Sequence, residues 1–167
     1  MHSLGTFWGM ILGRRESIGG TVYGTIIVMA TIAAGAHSGS GTWDLAVVVG
    51  VSVLVLWIAH VYSNGLAESL QRGRRLDTAE IREVARHEFA MPLAGVAPIA
   101  SLVLAAAGVL GDVTGVRLAL GFGVATLAFQ GLRYAALEHM RPLGAVFSIA
   151  FNVLLGVTIV VLEAAIH

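Results

Sequence analysis

Five stretches of this 167-residue chain are apolar enough and long enough to cross a lipid bilayer: residues 18–36, 42–62, 91–110, 116–134 and 145–165. Each holds about 20 residues, which at a helical rise of ~1.5 Å per residue matches a hydrocarbon core of ~30 Å. Hydrocarbon offers no partner to an open backbone N–H or C=O, so each stretch is expected to be a self-satisfied α-helix. The fold class that follows is an all-α integral membrane protein with five transmembrane helices. The one sizeable polar insert, residues 65–90, falls between the second and third.

Charged residues make up 12% of the chain and apolar ones 57%, about half the charged share of an ordinary soluble domain. The spans use up most of the length, so we expect a short amino-terminal segment, residues 1–17, and a single membrane domain, residues 18–167. Cysteine is absent, which excludes disulfides, thiolate metal sites and cysteine catalysis. Lysine is absent as well, so no Schiff base can form on a side-chain amine. The net charge is zero and the arginines are dispersed among carboxylates, unlike the basic face of a nucleic-acid-binding protein. No phosphate loop, nucleophile elbow or zinc-protease helix is present. An enzyme is therefore not expected, and the sequence points to no particular cofactor.

Arginine placement sets the expected orientation. Arg14, Arg15, Arg72, Arg74, Arg75, Arg82, Arg86, Arg133 and Arg141 all fall on one side of the span map, and Arg117 alone on the other. By the positive-inside rule the amino terminus is cytoplasmic and the carboxyl terminus external. The richness in alanine, glycine and arginine suits a GC-rich bacterial source, hence a bacterial plasma membrane. Arg14-Arg15 followed by an apolar run and Ala34-Gly35-Ala36 has the outline of a cleaved signal sequence. The run exceeds the usual 7–15 residues of a signal core, so we expect it to be retained as the first span.

Ahead of that span, Leu4, Phe7, Trp8, Ile11 and Leu12 recur at helical spacing, the pattern of a helix lying in the membrane interface. Gly20 and Gly24, four apart with Gly19 alongside, allow two helix backbones to approach closely, which we read as packing within the chain. Within the insert, Asp77 or Thr78 can cap an amphipathic cytoplasmic helix that begins near Ala79, with Ile81, Val84, Ala85 and Phe89 as its apolar stripe. Pro98 is expected to kink the third span.

The most polar helical face belongs to the second span. Trp57, His60, Asn64 and Glu68 follow one another at three, four and four residues and so share one side. Polar groups unpaired in hydrocarbon cost several kcal/mol, so this side should face the bundle or water. An imidazole changes charge near neutral pH and binds metals when neutral, which makes His60 the leading candidate. The structural alternative is a histidine that only bonds to a neighbouring helix. Asn152 in the fifth span, flanked by Ser148 and Gly156, is placed to meet His60 or Asn64, with Tyr23 and Thr25 of the first span opposite. These residues outline a transport seam: His60, Asn64, Glu68, Tyr23, Thr25 and Asn152. A weaker second candidate is a divalent-metal clamp of Glu80, Glu83 and His87 on the cytoplasmic helix.

Two family resemblances bear on these positions. Five spans with the amino terminus inside, and a charged helical insert carrying Glu80, Glu83 and Glu88 between spans two and three, resemble the vacuolar iron transporter family. In that family the insert's glutamates and an acidic residue of the first span handle divalent metal. Here the first span reads Gly19-Gly20-Thr21, and the second carries Trp57-Ile58-Ala59-His60. The Trp57-x-x-His60 pair, with arginine just before the first span, is similar to lysosomal-type potassium channels and their bacterial relatives. Both imply cation movement.

The expected function is accordingly a small channel or transporter for a cation or proton, working along the seam of spans one, two and five. The expected partners are the lipid bilayer, a small cation, and further copies of the chain or partner membrane subunits, with no nucleic acid. The alternative is a non-transporting subunit or scaffold of a larger membrane complex.

Overall fold

The computed structural model describes residues 16–36 and 41–165, and among these every regular element is an α-helix. The helices are α1 (Glu16–Ala36), α2 (Thr42–Arg72), α3 (Thr78–His87), α4 (Ala90–Ala106), α5 (Asp112–Leu137) and α6 (Pro142–Ala165). Four of them, α1, α2, α5 and α6, are long and apolar enough to cross a membrane, and α3 with α4 make a fifth if that pair, bent by 48°, is taken as one span. The interfacial stripe from Leu4 to Leu12 lies outside the described residues, as do residues 37–40 between α1 and α2.

Several helix ends differ from expectation, α5 running from Asp112 to Leu137 rather than over 116–134 and α6 starting at Pro142 rather than at 145, and the ends around α2 and α4 have local reasons. α2 does not stop near residue 62 but runs unbroken to Arg72, 31 residues in all, or about 46 Å. Its overhang is amphipathic, with Tyr62, Leu66 and Leu70 on one stripe and Asn64, Glu68 and Arg72 on the other, so nothing breaks the helix before Gly73. There φ is +64°, a left-handed conformation natural to glycine, and the Ser69 hydroxyl donates to the Arg74 carbonyl at 2.8 Å.

The third span ends at Ala106 rather than Leu110. Gly108 turns left-handed at φ +75°, Val109 N–H bonds Leu104 O at 3.0 Å and Gly108 N–H bonds Ala105 O at 2.9 Å, a complete Schellman cap. At its start, Pro92 has no N–H to offer the Glu88 carbonyl, which instead accepts from Met91 at 3.1 Å. The helix therefore breaks at Glu88 and Phe89, and α3 folds away from α4. Asp77 caps α3 as anticipated, through a capping box in which the Glu80 N–H donates to Asp77 at 2.8 Å and the Asp77 N–H to Glu80 at 2.9 Å.

α5 closes with the same Schellman pattern (Met140 N–H to Ala135 O 3.0 Å, His139 N–H to Ala136 O 3.3 Å), but its left-handed position holds His139 at φ +49° rather than glycine. A β-carbon there costs about 1–2 kcal/mol. His139→Gly is expected to stabilise the protein by up to about 1 kcal/mol, read as a rise in melting temperature in detergent.

α1 and α4 form the centre: α1 touches α2, α4, α5 and α6, while α4 packs on α1, α2 and α5. Their shared core is Val28, Met29 and Ile32 of α1, Leu45, Val49 and Val53 of α2, Leu102 of α4, and Leu120 and Leu127 of α5. Glycines stand where backbones meet. A methyl on Gly24 would lie 2.9 Å from the Met91 carbonyl, so this half of the Gly20/Gly24 pair does serve packing within the chain. On α5, Gly115, Gly123 and Gly131 recur every eight residues, a rotation of about 80° each time. They face Ala105 of α4, Met29 of α1 and Ile149 of α6 in turn, so one straight helix meets three neighbours.

The remaining faces are apolar and open. Of the described side chains of α6 only Gly156 is buried, and α2 exposes Val47, Val48, Val51, Leu54, Val55 and Ile58. Surfaces of that kind are compatible with a multi-pass membrane protein and foreign to a monomer in water. Two buried hydroxyls answer to their own helices, Thr25 donating to Thr21 O at 2.8 Å and Ser101 to Ala97 O at 3.0 Å.

Candidate functional site

The polar stripe of α2 is met along its length by α3, the α3–α4 elbow and α1. At its inner end the Trp57 indole N–H donates to the Ala85 carbonyl at 3.3 Å, and its ring meets Phe89 edge-on, centroids 6.1 Å apart. One turn on, the half-buried His60 ring lies against Tyr23 of α1, centroids 5.2 Å apart at 43°. His60 Nδ1 is 3.2 Å from the Leu56 carbonyl. A carbonyl only accepts, so Nδ1 is the donor in this contact. Asn64 then donates to Glu88 at 2.7 Å. The other carboxylate oxygen of Glu88 lies 3.9 Å from where a β-carbon on Gly20 would stand, ordinary contact distance, so the carboxylate lies against α1 as well as α2.

Beyond the elbow the stripe becomes an ion-pair clamp. Arg72 bridges Glu68 and Glu80, and Arg74 grips Glu80 with two bonds of 2.6 and 2.9 Å. The Arg74 hydrogen bond, then the Asp77 backbone N–H, then the charges of Arg74 and Arg72 hold the Glu80 carboxyl at about 2, down from 4.5. In return Glu80 raises Arg74 above the ordinary guanidinium range. A carboxyl whose folded value is depressed stabilises the fold fully above about pH 4.5, and that contribution is lost as pH falls through about 2. Acidification over this window is therefore expected to release α3 from α2. In a protein whose other tryptophans are replaced by phenylalanine, Trp57 emission should shift to the red across it. Glu80→Gln should give the acid-form spectrum at neutral pH.

Of the expected seam, His60, Asn64 and Tyr23 do come together at one end of the bundle. Glu68 belongs to the arginine clamp instead, and Thr25 commits its hydrogen to its own helix while lying fully buried. Asn152 is elsewhere. α6 packs on α5 and α1 and not to any extent on α2, so Asn152 donates to Ser148 O at 3.0 Å and sits 3.3 Å from the β-carbon position of Gly131. The seam of spans one, two and five is thus corrected to one of α1, α2 and the α3–α4 elbow.

The metal clamp does not assemble either. Glu83 and His87 meet at 3.0 Å, but Glu80 lies about 10 Å along the axis from His87 and is taken by two arginines. Among the described residues no three histidines or carboxylates are grouped to share an ion.

Sequence reasoning gave Glu88 no place in the seam. The signal was present in Pro92 four residues on, which cannot donate to the Glu88 carbonyl, breaks the helix there and turns the side chain toward α2. What results is a carboxylate, a carboxamide, a phenol and an imidazole at the mouth of three helices, groups able to take a proton or to present oxygens to a small cation. Toward the opposite end the bundle interior is filled by Met29, Ile32, Leu102 and Leu127, all fully buried. Compared with protein-family models, curated proteins and solved structures, the chain matches none.

Proposed function

We propose that this chain is a multi-pass protein of a bacterial plasma membrane, amino terminus cytoplasmic and carboxyl terminus external, that moves a proton or small cation. The observation that carries the reading is Glu88: a carboxylate at the elbow of a broken apolar helix, bonded to Asn64 beside the Tyr23–His60 pair. Breaks in membrane helices recur where ions are bound, because unwound backbone and side-chain oxygens there can replace water. Orientation rests on the arginines, seven of which (Arg72, Arg74, Arg75, Arg82, Arg86, Arg133 and Arg141) lie at the elbow end while Arg117 is at the other. The apolar plug of Met29, Ile32, Leu102 and Leu127 supports a carrier that loads at the cytoplasmic end rather than an open pore. The open faces of α2 and α6 support assembly into an oligomer.

In proteoliposomes, Glu88→Gln and His60→Ala are each expected to cut proton or cation flux by about tenfold or more, about 1.4 kcal/mol in barrier. Melting and oligomer size should hold, and Asp44→Asn at the opposite end should leave flux unchanged. The second reading, a subunit or scaffold of a larger complex, is favoured by the uncovered stripe Ile58, Tyr62, Leu66 and Leu70 on the overhang of α2. No flux in the unaltered protein, with loss of assembly in His60→Ala, would select it.

A further inference from the structure

At the end of the bundle away from Glu88, α5 and α6 part to leave an open cleft of about 1070 Å³. Its wall is aliphatic, formed by Leu120 and Val124 of α5, Val157 and Val160 of α6, and Leu45 of α2. The cleft exists because α5 presents Gly121, Ala125 and Ala128 where larger side chains would fill the space. A methyl built on Gly121 would touch nothing within 4 Å.

Two opposite charges stand in the mouth of this otherwise apolar cleft. Asp112 accepts the Thr42 hydroxyl at 2.8 Å through one oxygen and has its second oxygen free of described partners. Arg117 lines the cleft, is exposed, and makes no ion pair or hydrogen bond with a described residue, although a guanidinium brings five donors. It is also the one arginine at this end of the map. An unpaired arginine above an aliphatic wall is satisfied by a phosphate at headgroup level. From Arg117 to Ala128 the cleft follows eleven residues of helix, about 16 Å. That is close to half of a ~30 Å hydrocarbon core, the depth of one leaflet.

We infer that this cleft seats one phospholipid of the outer leaflet whose headgroup carries both a phosphate and a primary ammonium. The phosphate lies on Arg117, the ammonium on the free oxygen of Asp112, and an acyl chain runs down Leu120, Val124 and Ala128 against Val157 and Val160. The cation alone would fit any phospholipid. The carboxylate beside it disfavours a purely anionic headgroup and matches the second charge of an aminophospholipid. This inference rests on membrane residence and, for the choice of leaflet, on the proposed orientation, but not on transport.

The test uses the full chain purified from membranes holding equal phosphatidylethanolamine, phosphatidylglycerol and phosphatidylcholine, and counts retained lipid by native mass spectrometry. One phosphatidylethanolamine should be retained about tenfold over either rival. Arg117→Gln and Asp112→Asn should each abolish that preference. Ala125→Phe, an exposed position facing the cleft, should expel the lipid while leaving both charges in place. Equal retention of the three lipids, a preference for phosphatidylglycerol, or retention unchanged in Arg117→Gln would each overturn the inference. So would a dimer that Ala125→Phe dissociates with no lipid bound. Protein that enters membranes without lipid selectivity sinks the cleft alone, whereas protein that does not enter them sinks membrane residence and the cleft together.

Discussion

Gly24→Ala and Gly131→Ala are expected to destabilise the bundle by about 1–3 kcal/mol each, while the same change at Gly50 or Gly121 stabilises it by up to about 1 kcal/mol. Alanine is the better helix former at all four positions, so propensity alone gives one sign throughout. Packing reverses it at two of them. The new β-carbon on Gly24 would stand 2.9 Å from the Met91 carbonyl, and that on Gly131 2.9 Å from the Ile149 α-carbon and 3.0 Å from the Ser148 carbonyl. These are backbone atoms, which yield only if a whole helix moves. On Gly50 and Gly121 it would meet nothing within 4 Å. Melting temperatures in detergent decide the matter, and four shifts of one sign would mean that the close crossings of α1 on α4 and α5 on α6 do not exist.

A core pair should show strong coupling. Leu127 is fully buried, and a β-carbon on Gly156 of α6 would lie 3.0 Å from its Cδ1 and 3.3 Å from Val124 Cγ2. In hydrocarbon the unfolded chain keeps Leu127 among apolar groups, so truncation forfeits packing and leaves a cavity but loses little transfer free energy. Leu127→Ala is therefore expected to cost about 2 kcal/mol, the low end of the range for such changes in water. Gly156→Ala alone overpacks the crossing and costs about 1 kcal/mol. Together the new methyl enters the space the leucine left, so the double variant should be less destabilised than the sum by about 1 kcal/mol. Strict additivity would separate the two residues in space.

The elements of this fold were legible where the signal is local. Asp77 or Thr78 as a cap, followed by an amphipathic stripe, marked the start of α3, and runs of apolar residues marked the long helices. The ends were less so: the overhang of α2 is polar on one stripe only, and a length rule for spans overlooks the left-handed turn that Gly108 imposes at the end of α4. Partners across helices were the least legible. Asn152 shares a polar pattern with His60, but which helix α6 packs on depends on Gly131 and Gly156, and small residues do not announce their neighbour. Glu88 was hidden for a related reason, since its placement depends on a missing N–H at Pro92. Periodicity counts the groups that are present.

Because the chain has no cysteine, a single introduced thiol reports one position. Arg75 lies in the turn between α2 and α3, and Val109, 68% exposed, in the turn between α4 and α5. With a thiol reagent that cannot cross membranes, Arg75→Cys should be labelled only in inverted vesicles and Val109→Cys only in intact cells. Labelling of both positions from the same side would contradict a chain that passes through the bilayer between them.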